Sequence, residues 1–272
     1  MPVEDPAALL DIAVELARQA GALLLDGLPN RGAGVGTKSS GTDMVSDSDR
    51  ASERLISEAL ARRRPDDAVL GEEGSSRDGT TGVRWIIDPL DGTTNYLYGW
   101  PAFSVSIGVE VDGEVVAGVV VDPSHEEVFT AIRGKGARCN GEPIRASDKA
   151  DLATALVGTG FAYTADRRRQ QARVLESVLP AVRDIRRAGA ASIDLCWVAC
   201  ARLDGFYEAG LQPWDLAAGA LIAAEAGAVT NDLQDGPPSH QMVFACAAPV
   251  AQPLQQLLVD AGVFEPELGD EG

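Results

Sequence analysis

Histidine is almost absent from this chain: His125 and His240 are the 2 histidines among 272 residues. Each lies in a polar, loop-like stretch, so a two- or three-histidine metal site is excluded. Cysteine is scarce as well. Cys139, Cys196, Cys200 and Cys246 show neither paired metal spacing nor a secreted disulfide framework. Cys196 and Cys200, four apart in a helix-like run, read as small core residues. Chemistry in this protein therefore has to run on carboxylates and hydroxyls. Long apolar runs are missing too: Leu216 to Ala224 stops at Glu225, far short of the ~20 residues a membrane span needs. The opening Met1-Pro2-Val3-Glu4-Asp5-Pro6 has no basic region followed by an apolar core, so no signal peptide is expected and the expected location is cytoplasmic. Positive charge is also short, with 23 Lys and Arg against 41 Asp and Glu for a net charge of −18. Such a surface repels phosphate backbones and anionic lipid, so neither nucleic acid nor a membrane surface is an expected partner. An anionic substrate must then be caught by a local positive device, a metal ion or a helix N-terminus.

Against these absences stands ordinary core material, with 45% hydrophobic and 24% charged residues. At about 150 residues per domain the length allows one large domain or two modest ones. Asp5 is placed to cap a first helix with Pro6 at its start, and Ile12, Leu16, Leu23 and Leu24 recur at helical spacing up to Leu28. The glycines between Arg31 and Gly36 match no phosphate-loop pattern and read as a mobile loop leading to Lys38. A second helix fits Ser48 to Arg64, with Ala51, Leu55, Ala59 and Leu60 inward; one of Asp43, Asp47 and Asp49 should cap it. Strands fit Ala68–Leu70 and Trp85–Ile87. Phe103–Val111 and Glu114–Val121 form a hairpin through the type I′ turn Asp112-Gly113. Val128–Ile132 continues the sheet and Asn140-Gly141 marks a further turn. Beyond that, strands at Leu156–Gly158, Asp204–Tyr207 and Met242–Cys246 alternate with helices at Arg167–Val182, Ile193–Arg202, Trp214–Ala226 and Val250–Ala261. The expected fold is α/β, with an α+β half over residues 1–150 and an α/β half over residues 151–272, forming one compact unit. Arg62–Arg64 and Arg167–Arg169 read as solvated helix faces.

The most informative segment is Trp85-Ile86-Ile87-Asp88-Pro89-Leu90-Asp91-Gly92-Thr93-Thr94-Asn95. An apolar strand delivers Asp88, Pro89 fixes the turn, and Asp91 follows three residues later, so both carboxylates can face one cleft. Gly92 and Thr93 then offer N–H groups at a helix start, where a phosphate is favoured. Hard oxygen ligands beside free N–H donors suit a magnesium-assisted phosphate site. Asp-Pro-x-Asp-Gly is equally good turn chemistry, so the segment alone leaves function open. Further carboxylates suit the same cleft: Glu72 after the strand Ala68–Leu70, Asp49 near the second helix, and Asp215 in Trp214-Asp215. Asp215 taken alone reads first as an N-cap.

Together these residues carry a resemblance. From Lys38-Ser39-Ser40 to Ala226-Gly227 the chain is similar to the inositol monophosphatase family, part of the lithium-sensitive, magnesium-dependent phosphatases. Its two strongest motifs here are Asp88-Pro89-Leu90-Asp91-Gly92-Thr93-Thr94-Asn95 and Trp214-Asp215-Leu216-Ala217-Ala218-Gly219. The resemblance implies a layered αβαβα sandwich, a homodimer, and two or three Mg²⁺ ions per active site. It assigns Glu72, Asp88 and the Leu90 carbonyl to one metal, Asp88, Asp91 and Asp215 to a second, and Glu72 to a weaker third. Thr93 with Asp49 would orient and deprotonate the attacking water, and Gly92 and Thr93 would grip the phosphate. Glu208, in Phe206-Tyr207-Glu208-Ala209-Gly210, would bind sugar hydroxyls together with Asp91, Asp215 and the backbone of Gly189, Ala190 and Ala191.

The chain departs from the family in one place. Many members carry Ser or Thr after the glycine where this sequence has Gly189-Ala190-Ala191, which bears on the substrate more than on catalysis. Thr94-Asn95 in place of a lysine at position 94 favours inositol phosphatases over relatives acting on histidinol phosphate or sulfated nucleotides. The expected function is hydrolysis of myo-inositol 1-phosphate. The alternatives are a sister phosphatase acting on fructose 1,6-bisphosphate, histidinol phosphate or mixed sugar phosphates, and a regulatory binding protein on the same fold.

Overall fold

The computed structural model describes residues 4–38 and 44–264, so Ser39, Ser40 and Asp43 lie outside the described residues. Helix α1 (Pro6–Gly27) opens as expected. The Asp5 carboxylate accepts from the Ala7 N–H at 3.0 Å, and Leu9, Ala13, Leu16, Ala20 and Leu24 form the buried stripe. The glycine-rich stretch after it is not plain loop: β1 (Gly36–Thr37) pairs antiparallel with β2 (Met44–Val45). Helix α2 (Asp47–Arg63) corrects the expected cap. Ser46 is the N-cap and exchanges hydrogen bonds with Asp49 in a capping box, while Asp47 and Asp49 lie inside the first turn. A serine hydroxyl caps as well as a carboxylate does, and it leaves one oxygen of Asp49 for another partner.

Eight strands build the larger sheet: β3 (Ala68–Gly71), β4 (Ser76–Arg77), β5 (Val83–Asp91), β6 (Ser104–Val111), β7 (Glu114–Asp122), β8 (Glu127–Ile132), β9 (Ala137–Cys139) and β10 (Glu142–Ile144). Their order is β10-β9-β8-β7-β6-β5-β3-β4, and the β3–β5 pair is the parallel one. Short helix α3 (Thr93–Tyr98) follows β5. Both expected two-residue turns have positive φ at both positions, 51° and 89° at Asp112-Gly113 and 51° and 85° at Asn140-Gly141, as type I′ requires.

The second sheet contains β11 (Leu156–Thr159), β12 (Asp184–Arg186), β13 (Gly205–Glu208), β14 (Val229–Asn231) and β15 (Val243–Cys246), in the order β12-β11-β13-β15-β14. β12, β11 and β13 are mutually parallel. Between and after them come α4 (Ala165–Val178), α5 (Ala191–Ala199), α6 (Pro213–Glu225) and α7 (Ala248–Asp260). The helix expected to reach Val182 stops at Val178 and tightens into a 3-10 turn over Leu179–Ala181, where Pro180 has no N–H to continue the α-helical ladder. β12 and β14, at three residues each, are too short to show a period and were not expected.

Helices α1 and α2 cover one face of the eight-stranded sheet, over Trp85, Ile87, Val105 and Val119. α5 and α6 fill the space between the sheets, and α4 and α7 cover the outer face of the five-stranded sheet. The result is the layered αβαβα sandwich. Its middle layer sits unusually close to the sheet. Gly108 and Gly118 are register partners in β6 and β7. A Cβ on Gly118 would lie 2.9 Å from the Ala218 Cα, and one on Gly108 would lie 2.8 Å from the Ala217 Cβ. α6 therefore rests on bare backbone, which brings its first turn, with Asp215, to the acidic end of β5.

Candidate active site

The site is assembled at the end of β5, where the ladder to β6 shifts register between Asp88 and Asp91. That irregularity lets two carboxylates three residues apart reach one region. Asp88 is 1% exposed and accepts from the Leu90 N–H at 3.0 Å, while the Ser52 hydroxyl of α2 donates to the Pro89 carbonyl at 2.8 Å. Asp91 is 8% exposed, and its Oδ2 accepts from the Ser192 N–H at 2.8 Å and the Ser192 hydroxyl at 2.6 Å. Ser104 Oγ lies 2.7 Å from Ser192 Oγ, so with the Ser192 proton committed to Asp91, Ser104 is the donor. Glu72 follows β3 and is held by its N–H on the Ile87 carbonyl. Its carboxyl group touches that of Asp88 and accepts from Lys38 Nζ at 2.8 Å. Asp215 is the third residue of α6. It is not the N-cap, which is Gln212, and its Oδ2 accepts from the Gln212 N–H at 2.7 Å.

Beside these carboxylates stands a hydroxyl. Thr93 Oγ1 lies 2.8 Å from Asp49 Oδ1 and 3.1 Å from the Leu90 carbonyl oxygen, two acceptors for its single proton. Asp49 is fully buried and fixed from behind: its Oδ2 accepts from the Ser46 N–H at 2.9 Å and the Ser46 hydroxyl at 2.5 Å. Gly92 is the N-cap of α3 with φ at 88°, a conformation suited to glycine. The first N–H groups of α3 have no partner within the helix.

These groups share a cleft of ≈ 440 Å³ whose walls include Glu72, Asp88, Leu90, Asp91, Gly92, Thr93, Thr94, Gly189, Ala191, Glu208 and Asp215. Two cations line it, Lys38 and Arg187. Burial, followed by the charges of Glu72, Asp91 and Asp215, pushes the Asp88 carboxyl well above its ordinary range. Burial and then Asp91 do the same to Asp215. Burial also raises Glu72, against the pull of Lys38, and raises Asp91, against its hydrogen bonds from Ser192. Burial pushes Glu208 up to about 7, with Arg187 opposing. Burial would lower Lys38, but Glu72 and Glu73 hold it above the usual range.

A cleft whose carboxyl groups raise one another is short of positive charge. Its donors are oxygens alone, which suits a hard divalent cation. Among the described residues no three His, Cys, Asp or Glu side chains already converge on one point to hold a metal ion. The reason is visible in their partners: Glu72 turns to Lys38, Asp91 Oδ2 to Ser192, and Asp215 Oδ2 to Gln212. Glu72, Asp88, Asp91, Asp215 and the Leu90 carbonyl nevertheless fit such an ion in chemistry and common location.

Most residues singled out in the sequence meet here. Ala190 does not. It is buried against Ala102 and Ile193 and stays off the cleft wall, although its neighbours Gly189 and Ala191 line it. The hydroxyl missing at positions 190 and 191 is partly replaced by Ser192, which reaches Asp91. Sequence reasoning also missed Glu53, a buried α2 carboxylate that accepts from the Glu73 N–H at 2.7 Å and the Ser75 N–H at 2.8 Å. It missed Asn95 as a tie as well: the side-chain amide donates to the Ala102 and Ala188 carbonyls, pinning α3 to the Gly189 turn. Neither histidine lines the cleft, and His125 pairs instead with Asp122 at 2.7 Å.

The chain is similar to known proteins over most of its length. The inositol-1-monophosphatase SuhB of Mycobacterium tuberculosis is 45% identical over 245 residues, covering 84% of each chain. The Nus factor SuhB of Pasteurella multocida is 41% identical over 230 residues, covering 84% of this chain and 86% of that one. Among solved structures, the extragenic suppressor protein SuhB of Bartonella henselae superposes with a TM-score of 0.88 at 36% identity, covering 92% of this chain and 98% of that one. The model of the inositol monophosphatase family matches residues 5–262. With that match spanning nearly the whole sequence, the chain belongs to the inositol monophosphatase family.

Proposed function

We propose that this chain is a magnesium-dependent phosphomonoesterase that hydrolyses myo-inositol 1-phosphate to inositol and phosphate. Family membership supports a phosphatase of the inositol monophosphatase type that uses divalent metal ions. The observation that carries the reading is the Thr93–Asp49 hydrogen bond of 2.8 Å, set beside the carboxyl groups of Glu72, Asp88, Asp91 and Asp215 in one cleft. Glu72, Asp88, Asp91, Asp215 and the Leu90 carbonyl would hold two or three Mg²⁺ ions. Bound magnesium would supply the positive charge that the phosphoryl group and an ionising water require. Asp49 engages the Thr93 proton and so leaves the Thr93 oxygen lone pairs for a water in the cleft, which is thereby oriented and drained of a proton. The Gly92 and Thr93 N–H groups at the start of α3 bind phosphate oxygens. Glu208 accepts from ring hydroxyls of the leaving group. Lithium inhibition, a homodimer and a cytoplasmic location belong to the same proposal.

The test is phosphate release from myo-inositol 1-phosphate, fructose 1,6-bisphosphate and histidinol phosphate in parallel, with magnesium, with EDTA and with lithium. Release should depend on magnesium and be strongest on the inositol ester. Strongest release from another ester would keep the site and move the chain to a sister activity. The Nus factor name of a relative supports a second reading, a binding role on the same fold. Folded protein that releases nothing from any ester would favour it.

A further inference from the structure

Arg187 directly follows β12 and lines the same cleft as Glu208, which ends β13. β11 runs parallel between them, with Gly158 paired to Arg186 on one side and to Phe206 on the other. The carboxyl ends of parallel strands are where open α/β sheets place their ligands. At a strand spacing of about 4.8 Å, the backbones bearing Arg187 and Glu208 stand about 10 Å apart across the end of β11. Gly160 comes next after β11, and a Cβ there would lie 1.9 Å from Glu208 Oε2. β11 therefore adds no side chain beside Glu208. Arg187 itself is not splayed into solvent: its Nη1 lies 2.3 Å from where a Cβ on Gly189 would stand, so the guanidinium folds over the Gly189 turn. Lys38 is engaged by Glu72 and Glu73, whereas among the described residues Arg187 makes no hydrogen bond or ion pair.

We propose that Arg187 is a specificity-determining residue: its guanidinium donates to an oxygen acceptor on the leaving group, a ring hydroxyl or a second phosphate, while Glu208 accepts from a hydroxyl nearby. The inference rests on the phosphatase reading above. A guanidinium only donates and a carboxylate only accepts, so the pair matches a leaving group rich in oxygens and finds no hydrogen-bond partner on a bare aromatic ring. With Ala at positions 190 and 191, no hydroxyl from those residues competes for the role.

The experiment compares the unaltered full chain, Arg187→Ala and Arg187→Lys under magnesium. The substrates are myo-inositol 1-phosphate, fructose 1,6-bisphosphate and phenyl phosphate, whose leaving group carries no further oxygen. For Arg187→Ala, kcat/KM should fall about tenfold or more on at least one of the first two, mainly through KM, as loss of a charge-assisted hydrogen bond implies. On phenyl phosphate it should stay within about twofold, and Arg187→Lys should recover part of the loss. A fall on the inositol ester identifies a hydroxyl as the acceptor, and a fall confined to the bisphosphate identifies the second phosphate. Equal falls on all three substrates, or none on any, would overturn the proposal. If the unaltered chain turns over none of them, the phosphatase reading has failed and the inference falls with it.

Discussion

Thr93 is a useful acceptor for a water proton only while the Asp49 carboxylate accepts the Thr93 hydroxyl proton, and Asp49 is fixed only because Ser46 satisfies its second oxygen. Thr93→Val keeps the shape and removes that arrangement. It should lower kcat by about 10²-fold or more, with KM little changed, as expected for losing a positioned proton acceptor; steady-state phosphate release measures both. Glu53 acts differently, since it touches no substrate. Its two oxygens hold the Glu73 and Ser75 N–H groups and so fix the turn that presents Glu72. Glu53→Ala should destabilise the fold by about 2 kcal/mol or more, because two N–H groups lose their acceptor. It should also raise the magnesium concentration giving half-maximal turnover; urea unfolding and a magnesium titration read the two effects. The contrast shows what was legible in the sequence at this scale. Asp88, Asp91, Gly92 and Thr93 declare themselves because their chemistry is packed into six residues. Ser192 and Glu53 do not, because each acts on a group 101 or 20 positions away and looks like an ordinary helix residue by itself.

At the scale of elements, the site depends on how closely α6 approaches the sheet. The paired glycines Gly108 and Gly118 leave no side chain beneath Ala217 and Ala218, and Asp215 lies on the same helix three residues before Ala218. Gly118→Val would push against the Ala218 backbone and lift the helix. The expected cost is about 1–3 kcal/mol from overpacking, together with a fall in turnover at temperatures where the variant is still folded. Thermal melting and kcat measured on the same preparation separate the two, and unchanged values for both would contradict this packing. The hairpins were readable because Asp112-Gly113 and Asn140-Gly141 demand positive φ, which few residue pairs accept. The close approach of α6 was not, because a glycine in a strand looks the same whether it opens a bulge, turns a corner or admits a helix. The true cap of α2 escaped for a similar reason: three aspartates and a serine compete for one position, and the winner is decided by what Asp49 must do elsewhere.

For the whole molecule, the net charge of −18 and the acidic cleft make stability depend on pH and metal together. Burial raises the carboxyls of Asp88, Asp215, Glu72 and Asp91, and Glu208 reaches about 7. Groups whose folded pKa is raised hold more protons folded than unfolded, so their stabilisation is full below the ordinary carboxylate range and is lost as pH rises through the raised values. Metal-free protein in EDTA should therefore melt at lower temperature at about pH 7.5 than at about pH 5.5. Magnesium should restore more at the higher pH, where ionised carboxylates await it. A melting temperature that ignores magnesium at every pH would count against the metal assignment. The order of strands and helices was legible because apolar strands and amphipathic helices alternate along the chain, whereas the layered sandwich followed from the family resemblance. The shared cleft was expected from its carboxylates, but the partners that hold each one in place were not, since they come from both halves of the chain. The most direct test of the central claim is phosphate release from myo-inositol 1-phosphate by the unaltered chain and by Asp91→Asn, each with magnesium and with EDTA. Turnover by the unaltered chain that EDTA abolishes, and that folded Asp91→Asn almost entirely lacks, is the expected result. Turnover that survives EDTA, or that Asp91→Asn retains at the unaltered level, would contradict it.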